Sequence, residues 1–326
     1  MKQAHYLLVK ALRKFMGNKS KAYPLGYSGY VDLKDQEAND YVFSFLSDET
    51  QKGKMISKFG TVELAHIVAC HFERHHWTLE YIKDILNYNV SFDYRRTCRP
   101  LCTNAGFFPF DVQTSERFYD RVLKDMPEID VLGSYIYQEK YIAQFLTSVK
   151  KRINLEGYYA PFMWKNPWTR FMKGKRVLVV HPFVESIRYQ YEHNRERIWL
   201  DPDVLPEFGD LLTLKAVQSI ADAKNQPYED WFEALKSMEN EISKMDFDIA
   251  LIGCGAYGMC LAAHVKRMGK IAVHLAGWTQ MLFGVYGTRW IEQQHEFSKF
   301  INRYWIRPNA NERPMGAEKV EGACYW

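Results

Sequence analysis

No apolar run in the 326 residues approaches the roughly 20 needed to span a bilayer as a helix. The six cysteines, at positions 70, 98, 102, 254, 260 and 324, include no Cys-x-x-Cys pair, and no secretory leader is read in the sequence. Reduced thiols in a cytoplasmic protein are the expectation, with any membrane attachment peripheral and on the inner face. A large excess of one charge is missing as well: the formal net charge is +4, too small to point to nucleic acid. The sequence has no Gly-x-Ser-x-Gly elbow, Walker A loop or protein-kinase signature, which sets aside three enzyme classes. His66, Cys70, His71 and His75 share a helical stretch, but Glu73 is misplaced for the His-Glu-x-x-His zinc pattern, so ordinary helix residues are expected there. Internal repeats and low-complexity segments are absent.

What is present is a globular composition, 47% hydrophobic and 25% charged, with 15% aromatic residues. The aromatic surplus fits a large core, and aromatic faces also stack on the CH groups of sugars. Residues 1–21 stand apart. They carry Lys2, Lys10, Arg13, Lys14, Lys19 and Lys21 without an acid, while Leu7, Leu8, Ala11, Leu12, Phe15 and Met16 recur at helical spacing. Gly17-Asn18 ends the predicted helix. Such a helix either packs on the domain with its basic face in water or lies on an anionic membrane surface. The expected organisation is an extension over residues 1–50 and one α/β domain over 51–326.

The segment 54–59 reads as a buried strand running into Gly60, followed by helices from Glu63 to about Trp77, over 78–88 and over 114–125, with a loop at 95–109. A strand at 130–137 and a helix at 141–153 come next, then an irregular stretch at 158–168 that reads as a lid or a packing flap. Further strands are expected at 176–181, 248–252 and 271–275. Helices are expected at 211–223, from Pro227 to about Met245, and at 257–268, the last closed by Gly269. This alternation predicts an α/β fold, a Rossmann-like mostly parallel sheet flanked by helices, with a helix-rich N-terminal portion.

Gly253-Cys254-Gly255-Ala256-Tyr257-Gly258 is a G-x-G-x-x-G pattern between a strand and a helix, where glycines let a phosphate approach a helix N-terminus. A dinucleotide site also wants an acid after the next strand. That strand ends His274-Leu275-Ala276-Gly277-Trp278, so the pattern points to a nucleotide or sugar phosphate more than to a nicotinamide cofactor. His181, Glu185, Ser186 and Arg188 follow the strand at 176–181 and fall on the same rim, where a phosphate or an acceptor hydroxyl would meet them. Glu63 sits at a helix start after Gly60. It is either a plain helix-start acid or a ligand for a divalent cation bridging diphosphate oxygens.

Several spaced motifs occur in order: residues 251–258, 268–277, 280–284 and 287–290, with the strand at 176–183, the helix at 228–235 and the terminal segments 305–308 and 320–326. Together they resemble the GT-D-fold glycosyltransferases of bacterial surface-polysaccharide (capsule) synthesis, over about residues 173–326 and more thinly over 56–64. The resemblance implies transfer of a sugar from a nucleotide-sugar donor to a glycan or lipid-linked acceptor. It implies a donor site at Gly60, Gly253, Gly255, Tyr257, Gly258, Gly277, Gln280 and Arg289, and a divalent cation (Mn²⁺ or Mg²⁺) at Glu63. Members carry an Asp-x-Glu metal motif within Arg-(Tyr/Phe)-Gly-Asp-Gly-Glu. This chain has Lys58-Phe59-Gly60-Thr61-Val62-Glu63, keeping the glycine and the glutamate but not the aspartate. That departure implies weak metal binding, a changed donor, or a nucleotide-sugar-binding subunit that has lost activity. Transfer also needs a base for the acceptor hydroxyl, with His181 and Glu185 as candidates and Glu63 acting through the cation. Leaving-group stabilisation falls to the amides of 253–258 and to Arg289. The competing reading, a nicotinamide-dependent oxidoreductase, rests on the glycine turn alone.

Overall fold

A computed structural model describes residues 3–15, 30–220, 227–320 and 322–326. Seven short runs make its strands, Lys54–Lys58 (β1), Val131–Gly133 (β2), Lys151–Ile153 (β3), Arg176–His181 (β4), Asp210–Lys215 (β5), Ile249–Ile252 (β6) and Ile271–His274 (β7), of which β1, β2, β4, β6 and β7 are largely buried and β3 and β5 only partly so. They form one seven-stranded sheet, parallel throughout, in the order β3-β2-β1-β7-β6-β4-β5. Successive side chains take opposite faces. Leu178, Val180, Ala250 and Ile252 enter one core, and Val177, Val179, Ile249 and Leu251 enter the other.

A parallel sheet needs cover on both faces, and helices supply it. In chain order they are Gln3–Phe15 (α1), Asp35–Ser47 (α2), Thr61–Arg74 (α3), Leu79–Leu86 (α4), Tyr94–Ala105 (α5), Val112–Asp125 (α6), Glu156–Tyr159 (α7), Val184–Ile198 (α8), Trp231–Lys244 (α9), Gly258–Arg267 (α10) and Trp278–Leu282 (α11). Gly269 follows α10 at φ +78°, the left-handed residue its sequence position calls for. Ala38, Val42, Phe45 and Leu46 of α2 share a core with Ile56 of β1, so residues 35–47 pack as part of the α/β body. No helix among the described residues is long and apolar enough to cross a membrane, and all six cysteines are buried and outside any disulfide.

Several segments differ from the sequence expectation. The loop expected at 95–109 is α5, despite Pro100 inside it. The Asp93 carboxylate accepts from the Arg95 N–H at 3.2 Å to start the helix, Gly106 closes it at φ +83°, and Thr97, Cys98, Leu101 and Cys102 bury one face. The helix expected at 211–223 is β5 up to Lys215, because residues 210–215 pair in register with all of β4; residues 221–226 lie outside the described residues. The helix expected at 141–153 is replaced by 3-10 turns and β3. Residues 158–168 form a packing element, with Tyr158 and Trp168 fully buried and Trp168 Nε1 donating to the Tyr158 carbonyl at 2.6 Å.

Candidate active site

The carboxyl ends of the strands decide where a site can form. After β1 and β6 the chain enters α3 and α10, which pack on one face of the sheet; after β4 and β7 it enters α8 and α11, which pack on the other. Adjacent strands therefore part to opposite sides, and a crevice opens between them. A cavity of about 230 Å³ occupies that crevice. It collects the turns after β1, β7, β6 and β4, the segment 104–106 ending α5, the segment 217–220 after β5, and the C-terminal Tyr325 and Trp326.

Of the site residues expected from the sequence, Gly60, Glu63, His181, Gly253, Gly255, Tyr257, Gly277, Gln280 and Arg289 line this cavity, while Gly258, Glu185, Ser186 and Arg188 do not. Glu185 lies outside it, its carboxylate accepting from Asn311 Nδ2 at 2.7 Å with Lys215 Nζ 3.9 Å away, and it is removed as a base for this site. The start of α8 is also taken. Buried Glu312 accepts from the Glu185 N–H at 2.8 Å and from the Ser186 hydroxyl, filling the anion position of that helix with the protein's own carboxylate.

The glycines of residues 253–258 have internal reasons to be glycine. A Cβ on Gly253 would lie 2.3 Å from the Ala276 carbonyl oxygen, on Gly255 2.6 Å from the Ala105 carbonyl oxygen, and on Gly258 2.2 Å from His274 Nε2. The turn is thus packed against α5, β7 and the β7–α11 connection, and the sequence pattern is met by contacts within the chain. Tyr257 belongs to this packing too: it stacks on Trp231 with ring centroids 5.0 Å apart, and its hydroxyl meets Ser219 Oγ at 3.1 Å.

Polar groups without partners sit on the β7–α11 side. His274 Nε2, Thr279 Oγ1 and Gln280 Oε1 are buried and have no hydrogen-bond partner among the described residues. His274 and Gln280 line the cavity. Buried polar atoms are rarely left unpaired, so three within seven residues mark a place for a ligand or bound water. His274 Nδ1 is held by Ser57 Oγ at 3.1 Å, and Gln280 Nε2 donates to the Tyr325 carbonyl at 3.1 Å, fixing both side chains. Between them Ala276 takes φ +51°, a conformation unusual for a residue with a Cβ and one that collects at functional sites.

His181 is buried, and burial lowers its pKa to about 3, so its ring is neutral at physiological pH. Its Nδ1 accepts the Phe183 N–H at 3.0 Å, which puts the ring proton on Nε2. His181 is therefore a donor rather than the base its position predicted. Burial also lowers His274 to about 3. Of the charged groups, Lys58 lies with Nζ 5.5 Å from the Tyr135 ring, and the Arg289 guanidinium stacks 4.4 Å from the Tyr325 ring. Both line the cavity.

Glu63 enters the site, but its carboxylate is folded back over Gly60, where a Cβ would lie 2.0 Å from Oε2. Thr61 brings no second carboxylate, and no group of three His, Cys, Asp or Glu placed to hold a metal occurs among the described residues. The donor set does not fit a protein-held cation. Ser57, Lys58, His274 and Thr279 were not singled out from sequence. His274 ends a strand just as His181 does, and the same positional signal applied to it would have found it. Compared with family models, with curated proteins and with solved structures, the chain matches none.

Proposed function

We propose that this chain is a nucleotide-sugar-dependent glycosyltransferase whose donor enters the cavity at the strand ends. The observation that carries the reading is the pairing of two cations, Lys58 and Arg289, with a floor of unpartnered polar atoms at His274 and Gln280. Cations suit the diphosphate, and neutral donors and acceptors suit sugar hydroxyls. At about 230 Å³ the cavity is below the ~300–1,000 Å³ of sites that enclose a whole small molecule. It takes one end of such a donor and leaves the rest at the rim.

In the transfer, the bond from the anomeric carbon to the diphosphate oxygen breaks and its electron pair leaves with the diphosphate. A bond forms from that carbon to the acceptor oxygen, whose proton passes to a base. Lys58 and Arg289 would hold the negative charge that develops on the leaving group, and His181 Nε2–H would add a neutral donor. His181 cannot also take the proton, and Glu185 is out of reach.

The loss of both those candidate bases, with Thr61 in place of an aspartate, favours a second reading: a subunit that binds the donor without turning it over. Calorimetric titration with UDP-, GDP- and CMP-sugars, beside assays of donor hydrolysis and transfer with and without EDTA, separates the two. Lys58→Met should weaken nucleoside-diphosphate binding by roughly 10- to 100-fold, the ~1.5–3 kcal/mol of a charge-assisted contact. If no nucleotide-sugar binds at millimolar concentration, or if Lys58→Met binds as tightly as the parent, the proposal is lost. Binding without turnover under every metal condition supports the second reading.

A further inference from the structure

The N-terminal helix turns its apolar side outward. At 100° per residue, Leu7, Leu8, Ala11 and Leu12 share one side of α1, Val9 and Arg13 share the next, and Lys10 and Lys14 border the apolar stripe. It is the Val9–Arg13 side that docks on the body of the protein. Val9 is buried in the core, Arg13 Nε donates to the Ile85 carbonyl of α4 at 3.1 Å, and the Arg13 guanidinium lies 4.0 Å from the Tyr88 ring. Leu7, Leu8 and Leu12 are left 61%, 56% and 37% exposed, against the reading of the sequence in which the apolar side packs on the domain. Lys10 and Lys14 are exposed as well. The side chain of Phe15, all of Met16, the Gly17-Asn18 stop and Lys2, Lys19 and Lys21 lie outside the described residues.

We infer that α1 is a docking helix for an anionic lipid surface, with Leu7, Leu8 and Leu12 entering the headgroup–acyl boundary and Lys10 and Lys14 meeting lipid phosphates. Charge selects this occupant. An exposed leucine stripe edged by lysines matches an interface that is apolar below and negative above. A second copy pairing α1 on α1 would cover the leucines, yet residues 3–15 hold no acid to answer Lys10 and Lys14. The helix is clamped by Arg13 before any membrane is met, so binding needs little further ordering.

Flotation of the full chain with phosphatidylcholine vesicles, with and without phosphatidylglycerol, tests this. The protein should float with the anionic vesicles, stay behind with the neutral ones, and lose binding as salt is raised. Lys10→Gln with Lys14→Gln should weaken partitioning about 30-fold, from about 1 kcal/mol per cation near the surface. Leu8→Ser with Leu12→Ser should weaken it comparably. All four positions are exposed, so an unchanged melting temperature confirms that the fold is intact. Equal flotation with neutral vesicles, no flotation at low salt, or variants that float like the parent would each overturn the inference. So would a concentration-dependent dimer that the leucine variant dissolves, which would show the stripe to be covered by a second copy.

Discussion

Gly255 sits at φ +57° with the Ala105 carbonyl oxygen 2.6 Å from where a Cβ would be. A side chain there meets two penalties: a left-handed backbone that costs a residue with a Cβ roughly 1–2 kcal/mol, and a clash with backbone that cannot swing away. From the glycine pattern alone, a bulky residue at 255 would be expected to block a phosphate and spare the fold. The packing reverses that expectation. Gly255→Val should destabilise the protein by about 2–4 kcal/mol, seen as a melting temperature lower by several degrees, whether or not a nucleotide is present. Should the variant melt with the parent and lose only ligand affinity, the turn faces the ligand and the α5 contact is unimportant. Gln280 presents the opposite case. Its Nε2 is committed to the chain while Oε1 is unpaired, so the residue is held by the fold for something beyond it.

At the scale of elements, the anion position at the start of α8 belongs to Glu312, a residue 126 positions from the Ser186 it touches. Glu312→Gln keeps the shape and removes the charge. A buried carboxylate accepting N–H and O–H bonds at a helix start is worth several tenths to about 2 kcal/mol through the dipole, plus the strength of charge-assisted bonds. The variant should lose roughly 2–4 kcal/mol in urea unfolding; an unchanged midpoint would mean the contact is incidental. No local pattern announces such a cap, because the partners are brought together only by the whole fold. The same limit explains which elements could be read in the sequence. β4, β6 and β7 are legible because central parallel strands are buried on both faces and become continuous apolar runs. β5 is not: Leu211, Leu212 and Leu214 fit a helix as well as a strand, and pairing with β4 decides it. α5 hides behind Arg95, Arg96, Arg99 and Pro100, since its buried face of Thr97, Cys98, Leu101 and Cys102 is only partly apolar. With β5 and α5 misread, the cavity walls at 217–220 and 104–106 were invisible too, whereas the turns after β1, β4, β6 and β7 followed from strand ends alone.

The whole molecule buries neutral imidazoles, and that sets its response to acid. Burial lowers His66 to about 4 and His181 and His274 to about 3. His66 is held in place by contacts of Nδ1 with Thr97 Oγ1 at 2.9 Å and of Nε2 with the Ser115 carbonyl at 3.0 Å. In the unfolded chain each histidine takes a proton near pH 6.5, whereas in the folded chain it waits until pH 4 or below. Between those values the unfolded state binds more protons, so stability rises with pH, is complete above about 6.5, and is lost as pH falls. Each group contributes about 1.4 kcal/mol per pH unit across its window, and three together give a slope of roughly 4 kcal/mol per unit between about pH 6 and 4.5. Over that window the loss is about 6 kcal/mol, enough to exhaust a stability at the low end of the typical ~5–15 kcal/mol before most carboxylates have titrated. Urea unfolding at pH 7, 5.5 and 4.5 measures this slope, and a flat profile from 6 to 5 would show that the rings are reached by water. The same burial bears on the cavity. Because neither His181 nor His274 changes charge between pH 6 and 8, ligand binding there should not vary with pH through these residues. A break in affinity near pH 6.5 that His181→Gln abolishes would mean that His181 titrates in the site and that its Nδ1 is not committed to Phe183.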